Sequence, residues 1–262
     1  MPKTSKPEED VINVAAPPGF NAEAIPIHEV RVSDKKVAKA LLEPQALKAR
    51  LQYPPEWQPE ITDENRHVIA ADIIAKHQAA GKVTRAAVLI PLLLKADGLS
   101  VLLTQRTNHL RDHAGQISFP GGRMDPEDLS PDDTALRESH EEIGLDPGRV
   151  EIIGHLPQYL TVSGYSVTPV VGLVQPQAEY VLDEFEVAYV FEVSLQFLLD
   201  PANHQVRLWQ SEQGGRRFYS MPYENRFIWG ATAGMLRNLY HLLKVLLSFL
   251  FSSPSLLSNI AQ

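Results

Sequence analysis

The stretch from Ser130 to Gly144 reads as a helix closed at both ends, and it fixes more of the fold than any other segment of the 262-residue chain. Ser130 offers an N-cap hydroxyl, Pro131 suits the first helical position, Asp132 and Asp133 put acids in the first turn, and Gly144 supplies a left-handed stop after Ile143. These signals predict a helix of about three and a half turns over residues 131–143. At about 100° per residue, Glu138, Glu141 and Glu142 share an arc of roughly 100°, while Leu136 and Ile143 point the opposite way, toward a core.

Carboxylates gathered on one helical face repel one another, and Glu141 and Glu142 also sit at the negative end of the helix dipole. Each such effect costs from a few tenths to about 1 kcal/mol at an exposed site. A divalent cation reverses the sign, and hard oxygen donors suit Mg²⁺ or Mn²⁺ in company with substrate phosphates. The plain alternative is a solvated acidic face, steadied by Arg137 pairing with Glu141 one turn on. The Gly121-Gly122 pair just upstream favours the cation.

Residues Gly122 to Leu145 resemble the Nudix box: glycine, five residues, an acid, seven residues, then R-E-U-x-E-E-x-G-U with U a bulky aliphatic residue. Asp128 stands where glutamate is usual, the spacing from it to Arg137 is one residue longer, and Ser139 replaces the first aliphatic. Upstream, Leu102-Leu103-Thr104-x-Arg106-Thr107, then Arg111, Gly115 and Phe119-Pro120-Gly121-Gly122, is similar to the additional motif of the coenzyme A pyrophosphatase branch, which also carries the expanded box. The likeness continues at Leu160-Thr161, Ser163-Gly164-Tyr165, Val167-Thr168-Pro169, Glu186-Val187-Ala188 and Ile228-Trp229-Gly230, covering about 150 residues between 83 and 240.

The resemblance implies an α/β fold, the αβα Nudix sandwich, here with a helical N-terminal extension and a C-terminal helix. It implies Glu138 and Glu142 as principal ligands of Mg²⁺ or Mn²⁺, Glu141 ligating or assisting, and the Gly121 carbonyl completing the set. Arg137 would orient Glu141, and the general base would be Glu141 or Glu186. Arg106 and Arg111 suit phosphate recognition because a guanidinium is a planar fork of donors, with Gly122 beside them at the substrate. His109 and His113 read as ordinary polar surface, and Phe119 as a core anchor. The implied reaction is metal-dependent cleavage of coenzyme A or acyl-CoA into 4′-phosphopantetheine, or its acyl form, and adenosine 3′,5′-bisphosphate. The rivals are hydrolysis of a dinucleotide or nucleotide sugar, and a catalytically silent binding module.

Outside the box, Ala86–Leu94 and Leu99–Thr104 read as strands joined by a turn at Ala96-Asp97-Gly98, with further strands at 150–153, 166–174 and 188–193. Strands around a central helix give a mixed α/β layer structure. Residues 83–262 are expected to form the catalytic domain, and 1–82 an extension packing on it or forming the surface of a homo-oligomer. Within that extension, residues 1 to 25 read as flexible or lying over the surface, with one or two helices between Asp34 and Leu51 broken near Pro44, and another from Asn65 to Ala79. The apolar helix from Thr232 to Phe251 carries Arg237, Asn238, His241 and Lys244, so core packing or an oligomer interface is expected and not a membrane span.

A hydrophobic content of 44% supports one substantial core, and the formal charge of −8 argues against a nucleic-acid-binding surface. Zero cysteines exclude disulfides and thiolate chemistry. Glu8, Glu9 and Asp10 fit neither a secretory signal nor a transit peptide, and a cytoplasmic protein is expected.

Overall fold

The computed structural model describes residues 21–59, 83–110, 113–161, 164–211 and 214–245. The N-terminal part supplies β1 (Ile27–Val30), a 3-10 turn (Lys39–Leu42) and α1 (Pro44–Gln52). Then follow β2 (Thr84–Lys95), β3 (Gly98–Arg106), β4 (Ile117–Ser118), β5 (Gly121–Arg123) and α2 (Pro131–Ile143). After α2 come β6 (Val150–His155), β7 (Tyr159–Leu160), β8 (Tyr165–Val174), β9 (Val187–Ser194) and α3 (Leu195–Leu198). The C-terminal part holds β10 (Gln205–Ser211), β11 (Gly214–Tyr223), β12 (Arg226–Trp229) and α4 (Gly230–Lys244).

β2 is apolar almost throughout because both of its faces are covered, the pattern of a buried central strand. Ala86, Ile90 and Leu92 join one core and Ala87, Leu89 and Leu93 the other. It runs parallel to β8 and antiparallel to β3 and β5, at the centre of an eight-stranded mixed sheet. β5 pairs with residues 86–88 and β3 with residues 92–95, so Pro91 falls in the interval between them, where a missing N–H interrupts neither of those ladders. The pairing of β5 with residues 86–88 places Gly121 against the β2 backbone and Gly122 against Glu138 of α2.

Ala135 and Ile143 of α2 close one face of the sheet, and Leu236, Tyr240 and Leu243 of α4 help close the other. Helices on both faces make the expected αβα sandwich. Beside it stands a feature the sequence did not suggest, a four-stranded antiparallel sheet in the order β1-β10-β11-β12. The extension therefore supplies a strand as well as helix. Arg207 of β10, itself buried, donates to the carbonyls of Glu23 and Ile25 and holds residues 21–25 against this sheet.

The predicted helix over 131–143 has the observed bounds, with the Asp133 N–H donating to the Ser130 hydroxyl and Gly144 in the left-handed conformation. Its inward face differs from expectation. Leu136 is only half-buried, and Thr134, Ala135, Ser139 and Ile143 fill the core contact instead. Ser139 is tolerated in an aliphatic position because its hydroxyl donates to the Ala135 carbonyl at 2.6 Å and is satisfied within the helix.

α4 starts at Gly230 and stops at Lys244, where Val245 turns extended at φ −65° and ψ 122°; the rest of the expected helix, 246–251, lies outside the described residues. Of the polar residues that interrupt α4, Arg237 and Asn238 are buried, and His241 and Lys244 are half-buried. Arg237 donates to Asp34 at 3.1 Å and to His204 Nδ1 at 2.9 Å, between the rings of Tyr219 and Tyr240. Pro44 begins α1 at its first turn, following the 3-10 turn, and so marks a helix start. The expected helix from Asn65 to Ala79 lies outside the described residues. No helix among the described residues is long and apolar enough to cross a membrane.

Candidate active site

The site forms where α2 meets the glycine bend of β5. At Gly121 φ is +149°, and a side chain there would collide with the β2 backbone at Ala87 and Val88. Glycine is thus required by the close approach of two strands. At Gly122 the constraint comes from α2 itself: a Cβ would lie 2.5 Å from Glu138 Oε2. The missing side chain leaves the space that the Glu138 carboxylate occupies.

Glu142 is 6% exposed, and its Oε2 accepts from the Gly121 N–H at 3.1 Å. Burial pushes its carboxyl up to about 8, opposed by the Gly121 N–H and Arg106 and reinforced by Glu186 and Glu138. Burial also raises Glu138, against the pull of Arg137 and with added repulsion from Glu141 and Glu186. These carboxylates are therefore close enough to oppose one another's ionisation.

Glu141 is the most exposed of the helical acids. It nonetheless belongs to the group through Arg137, whose Nη1 donates to Glu141 at 2.9 Å and to Glu138 at 3.0 Å. The other edge of that guanidinium is fixed to Asp128 through Nε and Nη2 and to the Arg123 carbonyl. Asp128 also accepts from Thr134 and from the Asp125 N–H. The Arg137 hydrogen bonds hold its carboxyl well below the usual carboxylate range.

Glu186 arrives from the far side of the sheet edge. In the pairing of β9 with β3, Gln105 faces Tyr189 but Arg106 faces Val187, so Ala188 is an extra residue. A bulge of this kind re-aims the chain beyond it. Beyond it, the Glu186 carboxylate lies 3.7 Å from Arg106, and Arg106 lies 3.8 Å from Glu142. Neither distance is a hydrogen bond. The Arg106 Nε is buried and has no hydrogen-bond partner among the described residues.

The expected residues Glu138, Glu141, Glu142, Arg137, Gly121, Gly122, Arg106 and Glu186 thus form one connected group. Arg111 lies outside the described residues. Among the described residues no three acidic or histidine side chains stand close enough to enclose an ion as they are placed, since Glu138 and Glu141 turn toward Arg137. The donor set nevertheless fits a hard divalent cation: all its side chains offer carboxylate oxygens, and two of them, Glu138 and Glu142, are destabilised as anions and meet one glycine bend. Phe119 is buried in the core as expected. His109 is exposed, in line with its reading as polar surface, and its ring packs against Phe185 with centroids 4.7 Å apart.

The NUDIX domain profile matches residues 83–213, half of the chain. A relative from Enterobacter sp. (strain 638), named uncharacterized Nudix hydrolase NudL, is 44% identical over 174 residues, covering 66% of this chain and 86% of the relative. The protein of the same name from Escherichia coli (strain K12) is 45% identical over 156 residues, covering 59% of this chain and 80% of its own. Among solved structures, an Ap4A hydrolase binary complex from C. elegans is 22% identical, covering 46% of this chain and 86% of its own at a TM-score of 0.38.

Proposed function

The chain belongs to the Nudix hydrolase family, and from that premise we propose that it hydrolyses the diphosphate bond of coenzyme A or an acyl-CoA. The products would be 4′-phosphopantetheine, or its acyl form, and adenosine 3′,5′-bisphosphate. One observation carries the reading. Arg106, fixed by the motif shared with the coenzyme A pyrophosphatase branch, stands between Glu142 and Glu186 with a buried, unsatisfied Nε. A guanidinium so placed suits a phosphate oxygen.

In this reading Glu138, Glu142 and Glu141, with the Gly121 carbonyl, hold Mg²⁺ or Mn²⁺. The cation, when bound, neutralises charge on the diphosphate oxygens and the leaving phosphate. Arg137 fixes the Glu138 and Glu141 carboxylates relative to each other, anchored from behind by Asp128. Glu186 or Glu141 accepts the proton of the attacking water. Glu186 is the better placed for this, being 42% exposed and beside Arg106. Arg111 would add a second phosphate contact. A cytoplasmic location belongs to the same proposal.

Product analysis with Mg²⁺ tests the reading, on coenzyme A beside dinucleotides and nucleotide sugars. Coenzyme A should be turned over with the highest kcat/KM. Equal or better turnover of the other compounds transfers the assignment to them, and no product from any diphosphate leaves a binding module.

A further inference from the structure

Phe185 is 65% exposed, one residue along the chain from Glu186. Single exposed rings are common on protein surfaces, but this one is held rigidly. Its N–H donates to the Asp183 carboxylate at 2.9 Å, and its carbonyl accepts from the Thr107 hydroxyl at 2.7 Å. The turn that carries it is tied at both ends: the Asp183 N–H donates to the Glu142 carbonyl, and the Thr107 N–H donates to the Glu186 carbonyl. The His109 ring meets Phe185 at an interplanar angle of 58°. An exposed aromatic pair is thereby fixed in position relative to two site residues, Glu142 and Glu186.

We propose that Phe185, backed by His109, is the subsite that stacks the purine base of the substrate. The inference rests on the reading above, in which the substrate is a nucleoside diphosphate derivative. Two features identify the occupant. Asp183, Glu184 and Glu186 neighbour Phe185 in the chain, so the turn itself is acidic and suits an uncharged group better than an anionic one. A rigid aromatic face is matched by a planar heterocycle, whose stacking depends on ring geometry, whereas a flexible apolar chain gains nothing from planarity. A base on Phe185 would hang beside the Glu186–Arg106 edge, with its diphosphate reaching toward the glycine bend.

Calorimetric titration with ADP and with inorganic pyrophosphate decides this without any turnover. Replacing Phe185→Ala should weaken ADP binding by roughly 5- to 150-fold, the effect of losing one base–aromatic stack. Pyrophosphate affinity should stay within about twofold, because no base is present to stack. Phe185→Trp should restore ADP binding and Phe185→Leu should not. Equal losses for both ligands, no loss for either, or rescue by leucine would each overturn the subsite. In steady-state assays the alanine variant should raise KM with kcat nearly held. If the wild-type protein hydrolyses no nucleoside diphosphate derivative, the proposed activity fails, while the difference between the two ligands still reports on the ring.

Discussion

Arg137 and Asp128 form a two-point ion pair, Nε to Oδ1 at 3.0 Å and Nη2 to Oδ2 at 2.9 Å. The Asp128 side chain is nearly buried, and the remaining Arg137 nitrogen, Nη1, bonds both Glu138 and Glu141. The acid that departs from the usual glutamate of the box is thus the fixed end of a chain running from the 125–128 turn to the carboxylates of α2. Arginine matters there for its fork, which a lysine point charge cannot reproduce.

Substituting Arg137→Lys should therefore lower kcat/KM by roughly 10- to 100-fold, the usual cost of losing a group that orients metal ligands. Asp128→Asn should lose about 1.5–3 kcal/mol of stability, since it weakens hydrogen bonds to a charged partner. Urea unfolding of both variants beside steady-state kinetics measures the two effects. A lysine variant with unchanged kinetics contradicts the positioning role.

Glu142→Gln should cut turnover by orders of magnitude and abolish the thermal stabilisation that Mg²⁺ gives. Without metal, the same variant should be at least as stable as the wild type at pH 9. The folded-state pKa of Glu142 is raised above its unfolded value, so the carboxyl costs stability progressively as pH rises through about 8. Differential scanning fluorimetry with EDTA and with Mg²⁺ reads both effects. A Gln variant that keeps the metal-induced shift is incompatible with Glu142 as a ligand.

The two glycines of the bend should fail in different ways. Gly121→Ala places a Cβ against the β2 backbone at positive φ and should not yield a stable fold. Gly122→Ala meets only the Glu138 carboxylate, a side-chain end that can move. It should fold, with a melting temperature close to wild type, and lose most activity. Circular dichroism melts beside turnover separate the cases, and a fully active Gly122→Ala would remove Glu138 from the site.

Chelation by EDTA should abolish hydrolysis, and added Mg²⁺ or Mn²⁺ should restore it. The fold should persist, because α2 is held by its caps, its apolar face and the Asp128–Arg137 pair. Collapse of the circular dichroism spectrum on chelation would reveal a structural metal instead.

Stability should fall in mild acid because of a histidine packed against α4. His204 is buried as the neutral ring, its Nε2–H donating to the Leu198 carbonyl at 2.7 Å and its Nδ1 accepting from Arg237 at 2.9 Å. Burial lowers its pKa to about 4. The unfolded chain binds that proton near pH 6.5, so the contribution is complete above 6.5 and is lost as pH falls toward 4, roughly 3 kcal/mol in all. Chemical denaturation at pH 7 and pH 5 measures the slope. A His204→Asn variant that keeps the full slope places the titration elsewhere.

The sequence was most legible where local signals agreed. α2 was visible because a cap hydroxyl, a proline and a glycine bracket it, and β2, β3 and β8 because each is rich in Val, Ile and Leu. The second sheet was hidden by its composition. β1 is four residues reading Ile-His-Glu-Val, and β10 buries Arg207, so neither shows a plain alternation. The stop of α4 at Lys244 was not legible because Val245 and the apolar residues after it continue the pattern without a glycine or proline. Glu186 was suggested as a candidate base, but not the bulge that follows it in the chain beside Arg106.

The pairing of β1 with β10 also sets where the chain can be cut. Residue 213 falls inside the β10–β11 hairpin, and residue 83 follows the strand that completes its sheet. A fragment trimmed to 83–213 would strip away α4, β11 and β12, whose Tyr219, Ile228, Leu236 and Leu243 share one core with Ile90, Leu92 and Leu103. Such a shortened polypeptide should come out of expression hosts as inclusion bodies, although it would keep every acid of the catalytic helix.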